Sequence, residues 1–203
     1  MELASPTASL LPRATADVLR VLERTGQPLS GRTITELAGS GVNQTRVSRL
    51  LRGLVVGGIV HQVPGGYVLN REHVAYEGIV ALLGLGDKLL ARISEEVALW
   101  KVPAESVTLF GSVARGQADV SSDIDLLVVR PDAVGEDDPQ WADQVARVAE
   151  RVCELSGNRC EVLEYSPAEL HALRSEREPL LDSLLADGRT LHGRTVAELI
   201  DAS

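Results

Sequence analysis

Residues 111–129, Gly111-Ser112-Val113-Ala114-Arg115-Gly116-Gln117-Ala118-Asp119-Val120-Ser121-Ser122-Asp123-Ile124-Asp125-Leu126-Leu127-Val128-Val129, decide how this chain is read. Just before them, Val107-Thr108-Leu109-Phe110 has the length and apolar character of a short buried strand, ended by Gly111-Ser112. Leu126 to Val129 reads as a second, apolar strand. Side chains two apart on a strand share a face, so Asp123 and Asp125 present two carboxylates side by side. Like charges this close are costly unless a cation lies between them, and paired carboxylates suit Mg²⁺, which completes its shell with water and phosphate oxygens. At the strand-to-helix turn, Gly111 and Ser112 offer backbone N–H groups and a hydroxyl to an anion, and Arg115 adds a fixed positive charge. A phosphate cradle beside metal-binding carboxylates points to phosphoryl or nucleotidyl transfer. The glycines are no Walker A loop, because Gln117 stands where that loop needs Lys.

Downstream, an acidic loop from Asp132 to Asp138 leads to an amphipathic helix carrying Trp141, Val145, Val148, Ala149 and Val152, closed by Gly157-Asn158. Cys160 to Tyr165 reads as the next strand, with Glu161 on one face and Glu164 on the other, turned to solvent. Ser166 caps a helix that begins at Pro167. Leu180, Leu181, Leu184 and Leu185 form a last apolar stripe, and Leu191 closes against the body.

Upstream, Arg71 to Trp100 is mostly helical, and its additional apolar faces suit a dimer seam. Before it, Thr15 to Arg24 fits a short amphipathic helix, broken at Gly26-Gln27-Pro28. A second helix runs from Thr33, as its N-cap, to Ala38. Gly39-Ser40-Gly41 turns the chain, Val42 plugs the core, and Asn43 caps a third helix. There Val47, Leu50, Leu51 and Leu54 make a buried stripe. Gln44, Thr45, Arg46, Ser48, Arg49 and Arg52 line its opposite side. Alternating residues on both sides of Pro64-Gly65-Gly66 then predict a hairpin. The expected division is residues 1–70, a helical linker over 71–101, and a body over 102–203.

Helix, helix-turn-helix and hairpin in this order, over residues 12–70, resemble the winged helix-turn-helix domains of bacterial transcription regulators. The resemblance implies double-stranded DNA as a partner, with Gln44, Thr45, Arg46 and Arg49 toward bases or phosphates in the major groove. Dimerisation or protein contact is the alternative use of such a domain, and the hairpin tip carries no Arg or Lys.

Gly111-Ser112, ten intervening residues and Asp123-Ile124-Asp125 form a GS-x₁₀-DxD pattern. With Ala114-Arg115-Gly116 and Ser122, the string resembles the minimal branch of the DNA polymerase β-like nucleotidyltransferase superfamily, over residues 103–193. The resemblance implies an α+β fold with a small mixed sheet and flanking helices. Asp123 and Asp125 would hold one or two Mg²⁺ ions. Gly111, Ser112, Arg115 and Ser122 would bind a nucleoside triphosphate, with ATP the first candidate. Glu161 would be the third carboxylate, both metal ligand and base, where the family has Asp; its alternative is an ordinary strand-edge acid. Many relatives of this branch are antitoxins paired with a helical ribonuclease toxin, which makes a protein toxin an implied partner. Two uses follow: transfer of a nucleoside monophosphate to an unidentified acceptor, or a regulator whose body senses a nucleotide or partner without turnover.

Composition narrows the field further. The 203 residues, 44% hydrophobic and 24% charged, exclude a disordered tail or a disulfide-stapled miniprotein. Residues 1–70 hold seven arginines and no lysine against four acids, a net +3. The remaining 133 residues carry 13 bases against 25 acids, a net −12, which disfavours a broad nucleic-acid track on the body. No apolar stretch is long enough to span a bilayer, and MELASPTASLLPR lacks the basic start and apolar core of a secretory signal. A cytoplasmic protein with no membrane partner is expected, with Cys153 and Cys160 as buried, reduced thiols.

Overall fold

The structure, a computed structural model, describes residues 1–39, 42–119, 121–176 and 178–201. Ser40 and Gly41, two-thirds of the turn expected after the second helix, lie outside the described residues. The chain divides into two compact units, Ser5–Gly86 and a second made of Met1–Ala4 with Asp87–Ser203. No helix among the described residues is long and apolar enough to cross a membrane.

The Ser5–Gly86 unit holds helices α1 (Arg13–Thr25), α2 (Gly31–Ala38) and α3 (Gln44–Val56), the antiparallel hairpin β1 (Val60–Val63) and β2 (Gly66–Leu69), and helix α4 (Tyr76–Leu83). Ser30, rather than Thr33, caps α2. Its hydroxyl accepts the Thr33 amide at 3.1 Å, and the helix starts two residues earlier than Thr33. Both residues suit a cap, but Gly31 and Arg32 take helical geometry and extend the helix back to Ser30. Asn43 caps α3 as its position predicts, accepting the Arg46 amide at 2.9 Å. Val18, Leu19 and Leu22 of α1, Ile34, Val42, Val47, Leu51, Val60, Leu69 and Ile79 make one core. Leu29 exchanges two backbone hydrogen bonds with Tyr67, adding a third short segment beside the hairpin. That contact demands glycine next door: a Cβ on Gly66, at φ 140°, would stand 2.1 Å from the Leu29 carbonyl oxygen.

The second unit is built on a four-stranded mixed sheet. Its strands are β3 (Ser106–Phe110), β4 (Ile124–Val129), β5 (Cys160–Tyr165) and β6 (Arg189–Gly193), in the order β5-β4-β3-β6. Strands β3 and β4 run antiparallel, as do β3 and β6, while β4 and β5 are parallel. A parallel pair needs a long crossover, supplied here by α7 (Pro139–Ser156). The short helix α6 (Gly111–Ala114) follows β3, and α8 (Pro167–Glu176), α9 (Pro179–Asp187) and α10 (Val196–Asp201) follow β5. Strand β6 is a feature the sequence did not announce: Arg189–Gly193 alternates poorly, and only pairing with β3 makes it a strand.

Both faces of the sheet are covered. On one, Val107, Leu109, Ile124, Leu126 and Val128 pack with Leu89, Ile93 and Val97 of α5 (Leu85–Ala98) and with Trp141, Val145, Val148 and Val152 of α7. On the other, Leu127 and Val129 meet Leu170, Leu181, Leu184, Val196, Leu199 and Ile200. Each fully buried side chain of this size contributes about 1.5–3 kcal/mol relative to exposure. The stretch 71–101 is thereby shared, α4 serving the core of the Ser5–Gly86 unit and α5 that of the other. Leu185, placed in the apolar stripe from sequence, is exposed, because α9 buries Leu181 and Leu184, with Leu180 partly buried against the same core, and turns Leu185 outward.

Two sequence expectations give way to this double cover. Glu164 is half-buried, not solvent-turned, and its carboxylate accepts the indole N–H of the fully buried Trp141 at 2.6 Å. Glu164 lies on the α7 face of β5, so the helix that shields that face also reaches its side chain. Cys153 is exposed and Cys160 only half-buried, both as free thiols. The Cys153 position lies on the outward side of α7, although its neighbours in sequence are apolar.

Candidate active site

The site is built at the end of the sheet where β3 leaves and β4 and β5 begin. Strand β3 delivers the chain to α6, whose first residue, Gly111, takes φ 71°. A Cβ there would come 2.0 Å from Oδ2 of Asp125, so glycine is demanded twice, by its left-handed conformation and by the carboxylate lying over it. Asp125 reaches this position because it pairs with Phe110 across the antiparallel β3–β4 ladder. On its other side Asp125 is the register partner of Glu161 in the parallel β4–β5 pair. Asp123 precedes β4 by one residue. Thus a turn of GS, a DxD and a later Glu, scattered over 51 positions of sequence, converge on one corner of the sheet.

The electrostatics carry the mark of this crowding. The Asp125 carboxyl titrates above the ordinary aspartate range, first because it is partly buried, then because the Asp123 and Glu161 carboxylates stand near it; Arg115 pulls it partly back. The Cys160 thiol, at the head of β5, is pushed up to about 12 by burial first and then by Asp125 and Glu161. Neither the Asp123 nor the Asp125 carboxylate has a hydrogen bond or ion pair with a described residue. Two neighbouring carboxylates left without protein donors fit a divalent cation. Among the described residues no three His, Cys, Asp or Glu side chains group closely enough to hold a metal ion.

Glu161 is differently placed. It is exposed, and its Oε1 accepts from Nη2 of Arg159 at 2.6 Å. Arg159 lies just before β5, and its carbonyl accepts the Ile124 amide at 2.8 Å, which ties it to the start of β4. Sequence reasoning missed Arg159. The signal was an opposite charge two residues before Glu161.

The remaining expected residues are near but engaged. Arg115 closes α6, donates to Gln117 at 3.2 Å and stands 3.7 Å from the Asp187 carboxylate at the end of α9. Ser122 belongs to a local loop in which the Asp119 carboxylate accepts the Ser121 amide at 2.8 Å and the Ser121 and Ser122 hydroxyls at 2.7 and 3.2 Å. These donors, the Ser121 hydroxyl first, hold Asp119 below the usual carboxylate range. A second anchor was invisible in sequence: Asn158 donates to the Ser122 carbonyl at 3.1 Å and accepts from the Met1 amino group at 2.7 Å. The loop before Asp123 is thereby pinned to the end of α7.

In the Ser5–Gly86 unit, Gln44, Thr45, Arg46 and Arg49 of α3 are all exposed, with Arg52 one turn further on. Val47 and Leu51 occupy the buried side.

Residues 90–179 match the family model of the nucleotidyltransferase domain. No curated protein matches the chain. Among solved structures, a toxin–antitoxin with AMP-PNP is 13% identical with a TM-score of 0.37, covering 56% of this chain and 80% of that one. A mutant of the toxin–antitoxin MntA–HpeT is 13% identical with a TM-score of 0.38, covering 56% and 85%.

Proposed function

We propose that the second unit is a Mg²⁺-dependent nucleotidyltransferase that moves a nucleoside monophosphate from a triphosphate, ATP first, to an acceptor hydroxyl. One observation carries this reading: Asp125 is seated over Gly111 and directly across from Glu161, beside an equally unpartnered Asp123. The match of residues 90–179 to the nucleotidyltransferase domain supports it. Asp123 and Asp125 would hold Mg²⁺, whose charge offsets that of the triphosphate oxygens when bound. Gly111 and Ser112 present backbone N–H groups and a hydroxyl to the phosphates, and Arg115 and Ser122 border the same corner of the sheet. Glu161 is the base placed to accept the proton of an acceptor hydroxyl as that oxygen attacks the α-phosphorus and pyrophosphate leaves. Alignment and charge neutralisation supply most of the rate in such transfers.

The test is incorporation of label from α-labelled ATP, GTP, CTP and UTP in turn into the acceptor fraction of a cell extract, with Mg²⁺, by the wild type and by Asp125→Ala. Label that depends on Asp125 supports transfer. Its absence with every triphosphate removes the enzyme reading.

A second reading concerns the Ser5–Gly86 unit, which we read as a winged helix that binds double-stranded DNA. Exposed Gln44, Thr45, Arg46 and Arg49 on α3 favour it, since four polar or cationic side chains stand open to a partner there. A regulator in which the body only senses nucleotide would retain operator binding in Asp123→Ala and transfer no label. A protein toxin as partner or acceptor, and a homodimer, stay within this proposal as what the sequence resemblance implies.

A further inference from the structure

Three carboxylates reach the same corner of the sheet, yet the structure treats them unequally. Asp123 and Asp125 have no protein donor among the described residues, whereas Glu161 is held at 2.6 Å by the guanidinium of Arg159. Arg159 is not a chance neighbour. Its backbone carbonyl bonds the Ile124 amide, so the strand pairing that sets Glu161 across from Asp125 also sets Arg159 beside the start of β4.

We infer that Arg159 makes this a one-ion site, by holding the Glu161 carboxylate and keeping a fixed positive charge where a second divalent cation would need that carboxylate. The inference rests on the nucleotidyltransferase reading and deepens it. An exposed ion pair alone is weak, but two effects act together here. A second cation must displace the guanidinium from Glu161, and it must approach an arginine of like charge at short range. Glu161 is then left as a proton acceptor rather than a ligand, and Arg159 acts through it as a positioning residue.

The experiment counts Mn²⁺ ions by electron paramagnetic resonance on the full chain, saturated with a non-hydrolysable ATP analogue. The proteins are the wild type, Arg159→Gln, Arg159→Lys and Arg159→Gln/Glu161→Gln. Arg159 is exposed, so these changes leave the core intact, and circular dichroism checks it. The expected counts are one ion for wild type and Arg159→Lys, two for Arg159→Gln, and one again for the double variant. The second ion should bind about tenfold more tightly in Arg159→Gln than in wild type, the factor expected from removing one like charge at a few ångströms in water. Two ions on the wild type, or one on both wild type and Arg159→Gln, would overturn the inference. No ion on any protein would instead overturn the nucleotidyltransferase reading beneath it, a result distinct from either.

Discussion

The Asp125 carboxylate fills the space that a side chain on residue 111 would occupy: a Cβ on Gly111 would lie 2.0 Å from Asp125 Oδ2. The first half of the GS-x₁₀-DxD pattern is therefore a steric condition for the second half, beside the phosphate-binding role proposed for it.

Gly111→Ala should accordingly damage both fold and site. Alanine is strained at φ 71° and must push Asp125 aside, an expected loss of about 1–3 kcal/mol. Thermal unfolding reads the stability, and Mg²⁺-dependent nucleotide binding should fall together with it. A variant of wild-type stability and affinity would mean that Asp125 does not depend on this close approach.

Trp141→Phe keeps most of the buried ring but leaves the half-buried Glu164 carboxylate without its donor. The expected cost is about 1–3 kcal/mol in urea unfolding. Adding Glu164→Gln, which removes the charge, should recover part of that loss.

Acid should weaken the second unit through Glu169. The Ser166 amide first, and then the Arg130 guanidinium at 3.0 Å, hold this carboxyl below the usual glutamate range. Its folded-state value is depressed, so its stabilisation is complete above the unfolded value of about 4.3 and is lost as pH falls through the lower folded value. Denaturation over a pH series should show Glu169→Gln less stable than wild type at neutral pH, with the gap closing on the acid side. A gap independent of pH would contradict this.

For the Ser5–Gly86 unit, Arg46→Ala and Arg49→Ala should weaken binding to DNA. Where the arginine neutralises a phosphate, its removal lowers the slope of log affinity against log salt by about one. Nucleotide binding should be unchanged. Full DNA affinity in the double variant would leave the domain to protein contact or dimerisation.

Much of this was legible in residues alone, for identifiable reasons. The GS turn and the DxD are short-range patterns set by strand parity, so Gly111, Asp123 and Asp125 could be placed without a structure. Glu161 was within reach only through the family resemblance, as an acid preceding Val162-Leu163, and it is the parallel β4–β5 register that sets it across from Asp125. Relationships between distant segments were not legible. Arg189–Gly193 became a strand only through β3, and Glu164 became half-buried only because α7 brought Trp141 over it. Asn158 pins the Asp123 loop by a bond 36 positions away. Thr33 reads as the cap from sequence, and only the helical geometry of Gly31 and Arg32 moves the cap back to Ser30. The Arg159–Glu161 pair is the omission with the most consequence for chemistry, since it bears on the role proposed for Glu161.

The central claim is that Asp123 and Asp125 form a live site for a metal-bound nucleotide. Calorimetric titration of nucleoside triphosphates, with and without Mg²⁺, into the wild type and into Asp123→Ala/Asp125→Ala tests it most directly. The account predicts binding by the wild type that requires Mg²⁺ and is lost in the double variant. Binding that survives the double substitution, or no binding of any triphosphate by the wild type, would contradict it.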